Sequence, residues 1–393
     1  MRFEFATASR IIFGTGVIEE LPALAIGMRG GPPKGGTPNR VLLVTGSSGE
    51  RARPLVEKLS SAGMRTTHFA IRTEPTTDDV MAGALTAREH ECDVVIAFGG
   101  GRAIDGAKAI AAMATNPGEL LDYLEVIGRG RPLEIPPLPL IAVPTTAGPG
   151  TEVTRNAVLL SREHKVKASV RSPLLLPKVA IVDPKLTLTL PHDVTATTGA
   201  DALTQLIEPF VSVRANPLTD AICRDGIPRA ARALPRVCAA PDDLAARTEM
   251  SLASLYGGFA LANAALGAVH GFAAPIGGMF DAPHGAICAA LLPHVVRVNI
   301  RVLQARDPNS GALTRYHEVA RLLTGNPKAS AHDSVAWIES LVRDLGIPRM
   351  RAFGIKASDI PEICEKAAVA SSMKGNPVAL TTEELHEIVD RAL

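Results

Sequence analysis

The sequence predicts an α/β nucleotide-binding domain with a mostly parallel sheet, followed by an all-α domain. Three observations carry this reading. Short runs rich in Val, Ile and Leu alternate with helical segments through the first half of the chain. Two of those runs end in loops rich in glycine and hydroxyl groups. Beyond Pro191 the strand signals stop, and an Ala/Leu-rich pattern with 3.6-residue periodicity takes over.

In chain order, Val41-Leu42-Leu43-Val44 is a strand running into a Gly/Ser turn, and residues 51–62 are a helix. Residues 66–71 and 77–90 repeat the pair. Residues 93–98 are a third strand that ends in three glycines and opens an amphipathic helix. Leu140-Ile141-Ala142-Val143 and Val179-Ala180-Ile181-Val182 supply further buried strands. Strand and helix alternating at this spacing build βαβ units. Leu188-Thr189-Leu190-Pro191 punctuates the chain and divides it into a nucleotide-binding domain, 1–188, and a helical domain, 189–393. Helical periodicity continues in 244–265, 285–298, 316–323, 331–345 and 382–393, and residues 28–39 are a Gly/Pro surface loop.

Composition excludes several classes. The 393 residues suit two or three domains, and 46% hydrophobic content is enough to bury large cores. Forty-one Lys and Arg against 40 Asp and Glu leave a net charge of +1, with no basic surplus for a nucleic-acid backbone. Five scattered cysteines without a C-x-x-C argue against a disulfide scaffold or a Cys-ligated zinc site, and fit a reducing cytoplasm. With no apolar run of membrane length and no leader-like N-terminus, no membrane partner is expected.

Two loops offer a nucleotide cradle. Gly99-Gly100-Gly101-Arg102 lies between a strand and a helix, where glycines admit a pyrophosphate and first-turn N–H groups meet it. A plain strand-to-helix turn is the alternative. Pro144-Thr145-Thr146-Ala147-Gly148 also follows a buried strand and adds hydroxyls suited to ribose or phosphate. In the second domain, Asp201 and Gln205 are four residues apart, so both project from one helix face. That pair sits at an expected helix start. His270 and His284 each precede a glycine. A carboxylate and two imidazoles suit Fe²⁺ or Zn²⁺ with an open position, although each histidine alone reads as an ordinary surface or core residue.

Taken together these residues resemble the iron-containing (group III) alcohol dehydrogenases, which have a dehydroquinate synthase-like fold. The resemblance begins at Ile12-Phe13-Gly14-Thr15-Gly16 and runs through Gly99-Gly100-Gly101-x-x-x-Asp105 and Pro144-Thr145-Thr146. It continues in Ser172-Pro173-x-Leu175-Leu176-Pro177, Asp183-Pro184 and Asp201-Ala202-Leu203-Thr204, and ends with the two His-Gly pairs and Asn376-Pro377. It implies that Gly99, Gly100, Gly101, Arg102, Thr145, Thr146, Asn156 and Lys167 hold NAD or NADP. It also implies that Asp201, Gln205, His270 and His284 hold a divalent metal, Fe²⁺ before Zn²⁺. The implied reaction is reversible hydride transfer between the cofactor and a small alcohol, aldehyde or ketone. The resemblance further implies a homodimer, with Phe3-Glu4-Phe5 alternating as an edge strand would.

Three positions depart from the family pattern. Gln205 stands where histidine is usual, and an amide oxygen is the weaker donor. Ala274 replaces a histidine thought to relay a proton, so no protein acid or base is named. Gly46 ends the first strand where relatives carry a carboxylate, so a 2′-phosphate is not repelled, and Arg51 stands nearby to meet it. Rival readings are a maleylacetate reductase, disfavoured by the retained Asp201, a lyase of the dehydroquinate synthase type, disfavoured by the few basic residues near the ligand motifs, and a non-catalytic nucleotide binder.

Overall fold

The computed structural model describes residues 2–28, 39–47 and 49–393. The loop expected at 28–39 therefore lies almost wholly outside the described residues. The chain divides into two compact units, one formed by Ala6–Thr146 with Thr151–Thr187, the other by Ala147–Gly150 and Leu188–Leu393 together with the N-terminal residues through Phe5. A single cut after residue 188 misses those two short returns of the chain.

The first unit contains β1 (Arg10–Phe13), α1 (Leu21–Gly27), β2 (Arg40–Thr45), α2 (Arg53–Ser61), β3 (Arg65–Ala70), α3 (Thr77–Glu89), β4 (Val94–Gly99) and α4 (Gly101–Thr115). β5 (Leu140–Pro144), β6 (Asn156–Ser161), β7 (Val166–Arg171) and β8 (Val179–Val182) follow. Six strands form a parallel sheet in the order β1-β8-β5-β4-β2-β3, while β6 and β7 pair separately as an antiparallel hairpin.

Period-two alternation explains why the central strands read as unbroken apolar runs. Leu42, Val44, Val95 and Ala97 point to one face, where they pack with Ile104 and Ile110 of α4. Val41, Leu43, Val94 and Ile96 point to the other and pack with Leu55 and Leu59 of α2. Both faces are covered by helices, so no polar residue is required along these strands. Each fully buried side chain of this kind contributes about 1.5–3 kcal/mol. α3 begins with a reciprocal cap, in which Asp79 N–H donates to Thr76 Oγ1 at 3.1 Å and Thr76 N–H to Asp79 Oδ2 at 3.0 Å. The chain reverses direction across the sheet between β2 and β4, and the crevice beyond their carboxyl ends is where such sheets take ligands.

The second unit is helical. It comprises α5 (His192–Val211), α6 (Pro217–Ala239), α7 (Leu244–Ala264), α8 (Ala268–Met279) and α9 (His284–Arg306). α10 (Gly311–Thr324), α11 (Ala331–Asp344), α12 (Ile360–Ala368) and α13 (Thr382–Ala392) complete it. α6 escapes a reading by periodicity because Pro228 and Pro235 lie inside it. α5 starts at His192, so Asp201 lies in mid-helix and not at a helix start. Residues 3–5 form no strand; Phe5 instead sets its ring 6.2 Å from that of Phe259. A hydrophobic contact needs no ladder partner, which a lone edge strand would. Among the described residues α9 is long and apolar enough to cross a membrane, but most of that stretch is buried in this unit's core.

Candidate metal centre and cofactor cradle

At the carboxyl ends of β2, β4 and β5, three loop tips come together. Thr145 N–H donates to the Gly99 carbonyl at 2.9 Å. A Cβ on Gly99 would stand 2.7 Å from Ala103 Cβ and 3.3 Å from the Gly46 nitrogen, and one on Gly100 would stand 3.2 Å from Thr146 Cγ2. Bare backbone is what lets these tips approach. Gly100 caps α4 without a side-chain bond, so the first-turn N–H groups, including those of Gly101 and Arg102, keep their capacity for an anion. Around Gly46 there is open space where a side chain would be.

Charged groups surround this cradle. Arg102, half exposed, meets Glu74 Oε1 at 2.7 Å, and the buried Lys167 on β7 meets Glu74 Oε2 at 3.0 Å. Arg51 donates to the Leu186 carbonyl at 2.5 Å, so its guanidinium is already engaged within the protein. Lys108, fully buried, donates to Thr154 O at 2.8 Å, Thr154 Oγ1 at 2.9 Å and Asn156 O at 3.0 Å, which ties the start of β6 to α4. Burial raises the Asp105 carboxyl and lowers the Lys108 amine. Burial also pushes the Glu152 carboxyl up to about 7. Sequence reading missed Lys108, whose signal is its place three residues after Asp105 in an alanine-rich helix.

In the helical unit, Asp201, His270, His284 and Cys288 bring one donor atom each to within 4.8 Å of one another. Their elements explain the convergence. His270 lies in the first turn of α8, His284 opens α9, and Cys288 is one turn further along α9 on the same face. A Cβ on Gly285 would stand 2.3 Å from the Thr197 carbonyl, so only glycine lets the start of α9 reach the backbone of α5. His270 Nε2 is 3.3 Å and His284 Nε2 3.8 Å from Asp201 Oδ1. Cys288 Sγ is 3.8 Å from His270 Nε2 and 3.6 Å from His284 Nε2. Asp201 Oδ1 is buried without a hydrogen-bond partner, and so is Gln205 Oε1 one turn along α5. Two unpartnered buried acceptors are costly unless a cation takes them up, so the donor set fits a divalent metal.

Orientation comes from a residue the sequence reading did not single out. Glu208, seven residues after Asp201 on α5, accepts from His270 Nδ1 at 2.6 Å and from Val269 N–H at 2.7 Å. The Nδ1 proton is thereby fixed and Nε2 is left facing the cluster. α8 lacks a side-chain cap of its own, and Glu208 together with Asn376, which accepts from Ala268 N–H at 3.2 Å, satisfies its first N–H groups. Asn376 is held in turn by Asn299 Nδ2 at 3.0 Å.

Burial opposes ionisation of Asp201, yet the facing imidazoles of His284 and His270 hold its carboxyl below the usual range. Burial also opposes charge on His270, but Cys288, Glu208 and Asp201 together hold its imidazole well above the usual value. Burial pushes the Cys288 thiol up to about 12. Ala274, one turn after His270 on α8, offers no group to a proton.

Comparison with known proteins identifies the family of the chain. Residues 8–184 match the profile of iron-containing alcohol dehydrogenases, and residues 195–393 match the C-terminal profile of the same family. The chain is 36% identical over 341 residues to a 1,3-propanediol dehydrogenase of Klebsiella pneumoniae, with 85% of each chain covered. Its fold superposes on the crystal structure of a 1,3-propanediol oxidoreductase with TM-score 0.91, at 33% identity and 100% coverage of both chains. It also matches the sulfoacetaldehyde reductase of Bifidobacterium kashiwanohense in complex with NAD⁺, with TM-score 0.85, 27% identity and coverage of 99% and 98%. The chain belongs to the iron-containing alcohol dehydrogenase family.

Proposed function

We propose that this protein is a metal-dependent, NAD(P)-linked alcohol dehydrogenase acting on a small alcohol and its aldehyde or ketone. The observation that carries the proposal is the convergence of Asp201, His270 and His284 on one point, with a buried carboxylate oxygen left unpartnered, in a chain of this family. When bound, a divalent metal, Fe²⁺ before Zn²⁺, polarises the substrate oxygen, and the nicotinamide gives or takes the hydride.

The chain's own residues do the rest. Asp201, His270 and His284 supply donors, and Glu208 keeps His270 in the tautomer that can act as one. Gln205 stands one turn from Asp201 with a free acceptor. Gly99, Gly100, Gly101 and Arg102 receive the pyrophosphate at the start of α4, and Thr145 and Thr146 flank it. Lys167, Arg102 and Glu74 form a charged border, and Asn156 opens the hairpin beside it. Among the described residues nothing lies within 4 Å of a Cβ placed on Gly46, and Gly46 itself carries no carboxylate to repel a 2′-phosphate, which supports use of NADH or NADPH. With Ala274 in place, the proton leaves through water or a cofactor hydroxyl.

The unpaired state of all five cysteines supports a reducing, cytoplasmic setting. A homodimer follows from the family resemblance, and a domain division at residue 188 from the Leu188-Thr189-Leu190-Pro191 punctuation. Light scattering reads the dimer directly. For the reaction, chelator-stripped protein is compared with protein reloaded anaerobically with Fe²⁺ or Zn²⁺, following nicotinamide absorbance with NADH and NADPH over a panel of aldehydes and ketones. Turnover restored only on reloading is expected. Turnover indifferent to metal, above all with maleylacetate, overturns the proposal.

A further inference from the structure

Cys288 has no part in the reading above, yet its sulfur faces the same point as the three donors. We propose that Cys288, as a thiolate, is the fourth protein donor to the metal, in the role that Gln205 leaves weak. The proposal rests on the metal-site reading and deepens it.

Spacing is the first argument. Nitrogen, oxygen and sulfur donors at about 2.0–2.3 Å around one tetrahedral cation stand about 3.3–3.6 Å apart. The edges from Cys288 Sγ to the two histidine nitrogens are 3.8 and 3.6 Å, and those from Asp201 Oδ1 to the same nitrogens are 3.3 and 3.8 Å. These four edges are close to the separations that one shared ion requires, and the remaining pairs of donor atoms lie within 4.8 Å of each other. Cys288 Sγ completes the figure as regularly as Asp201 does.

Hydrogen-bond arithmetic is the second. A thiol has one weak proton to donate, and this one faces two imidazole nitrogens and a carboxylate. As a neutral thiol it can satisfy at most one of them, and Asp201 Oδ1 remains without a partner. Cys288 is buried in the same apolar cluster as its α9 neighbours Ile287, Ala289 and Leu291, yet its sulfur lies 3.8 Å from His270 Nε2 and 3.6 Å from His284 Nε2. Cys288 also stands one turn after His284, the spacing at which two ligands on a helix share an ion. On binding, one S–H bond breaks, one sulfur–metal bond forms, and the proton passes to solvent. Four protein donors fill a tetrahedron, so substrate would enter as a fifth ligand by expanding it. A thiolate also shifts preference toward Zn²⁺ relative to an amide or imidazole in its place.

Full-length protein loaded anaerobically with Co²⁺ tests this without reference to activity. The expected result is one cobalt per chain and an intense near-ultraviolet thiolate-to-cobalt charge-transfer band. Gln205→Ala should keep the band. Cys288→Ala should lose it and bind cobalt more than about tenfold more weakly in chelator competition. Because the band is read on the unsubstituted protein, poor folding of a variant does not spare the proposal. One bound cobalt per chain without the band overturns the thiolate and leaves the metal site standing. Failure to bind cobalt at all overturns both.

Discussion

The cofactor cradle and the metal cluster solve opposite problems with opposite materials. The cradle is backbone: Gly46, Gly99 and Gly100 matter for what they lack, and their neighbours stand where a Cβ would go or leave the space open. The cluster is side chain: Asp201, His270, His284 and Cys288 matter for what they carry, and three helices exist to aim them. A backbone site resists any substitution, because every residue except glycine adds an atom. A side-chain site admits exchanges of donor, provided that some neighbouring group fills the gap. On the proposal above, Gln205 and Cys288 are that kind of pairing.

The sharpest way to break the comparison is Asp201→Asn. It keeps the shape of the cluster but removes the ionised oxygen, and metal affinity should fall by at least about a hundredfold. Inductively coupled plasma mass spectrometry on purified protein reads the outcome, and full metal content would show that the cluster does not depend on this carboxylate. Glu208→Gln acts through His270 alone and should weaken the metal by about 10–100-fold, with little change in the KM for cofactor. An equal loss in both measurements would mean that Glu208 merely supports the fold. Gly99→Ala tests the other region. Its Cβ would stand 2.7 Å from that of Ala103, so NADH should bind about tenfold more weakly, at a stability cost of about 1–3 kcal/mol, with metal content unchanged. Fluorescence titration with NADH decides it.

The smallest effect concerns pH. Burial pushes the Glu152 carboxyl up to about 7, so the folded chain holds that proton more tightly than the unfolded chain does. The destabilisation this causes is complete above about 7 and fades as pH falls toward the unfolded carboxyl's range, near 4.5. Glu152→Gln should therefore stabilise the fold most near pH 8, by on the order of 1–3 kcal/mol, and raise the melting temperature there but hardly at all near pH 5. A gap that is constant across pH would show that this carboxyl is not the titrating group.

Legibility followed the same division of materials. The strands and the two glycine loops could be read from the sequence because a parallel strand is a short contiguous run and its loop follows at once. The β6–β7 hairpin was not foreseen, since its residues alternate and carry charge at Lys167 and Arg171. In the helical unit, His270 and His284 are alone no different from ordinary histidines; chemistry suggests joining them to Asp201, and only the family resemblance gives that grouping weight. Cys288 hides in an apolar helix where cysteine passes for a core residue, though the four-residue interval after His284 is visible in retrospect. Glu208 carries a fainter signal, a carboxylate seven residues after Asp201 and on the same face of its helix, amid the apolar run of Leu206, Ile207 and Phe210.

The anchoring of α8 by Asn376 bears on the order in which the protein is made. Everything in the parallel sheet is encoded by residue 182, so that sheet can close while the rest of the chain is still emerging from the ribosome. The turn that presents His270 must wait about a hundred residues longer for Asn376, which satisfies the N–H of Ala268. Translation therefore delivers a finished nucleotide fold first and a finished metal centre almost last. A ribosome stalled after Cys288 and before Asn376 would leave the histidines and Cys288 without the carboxamide that holds the first turn of α8.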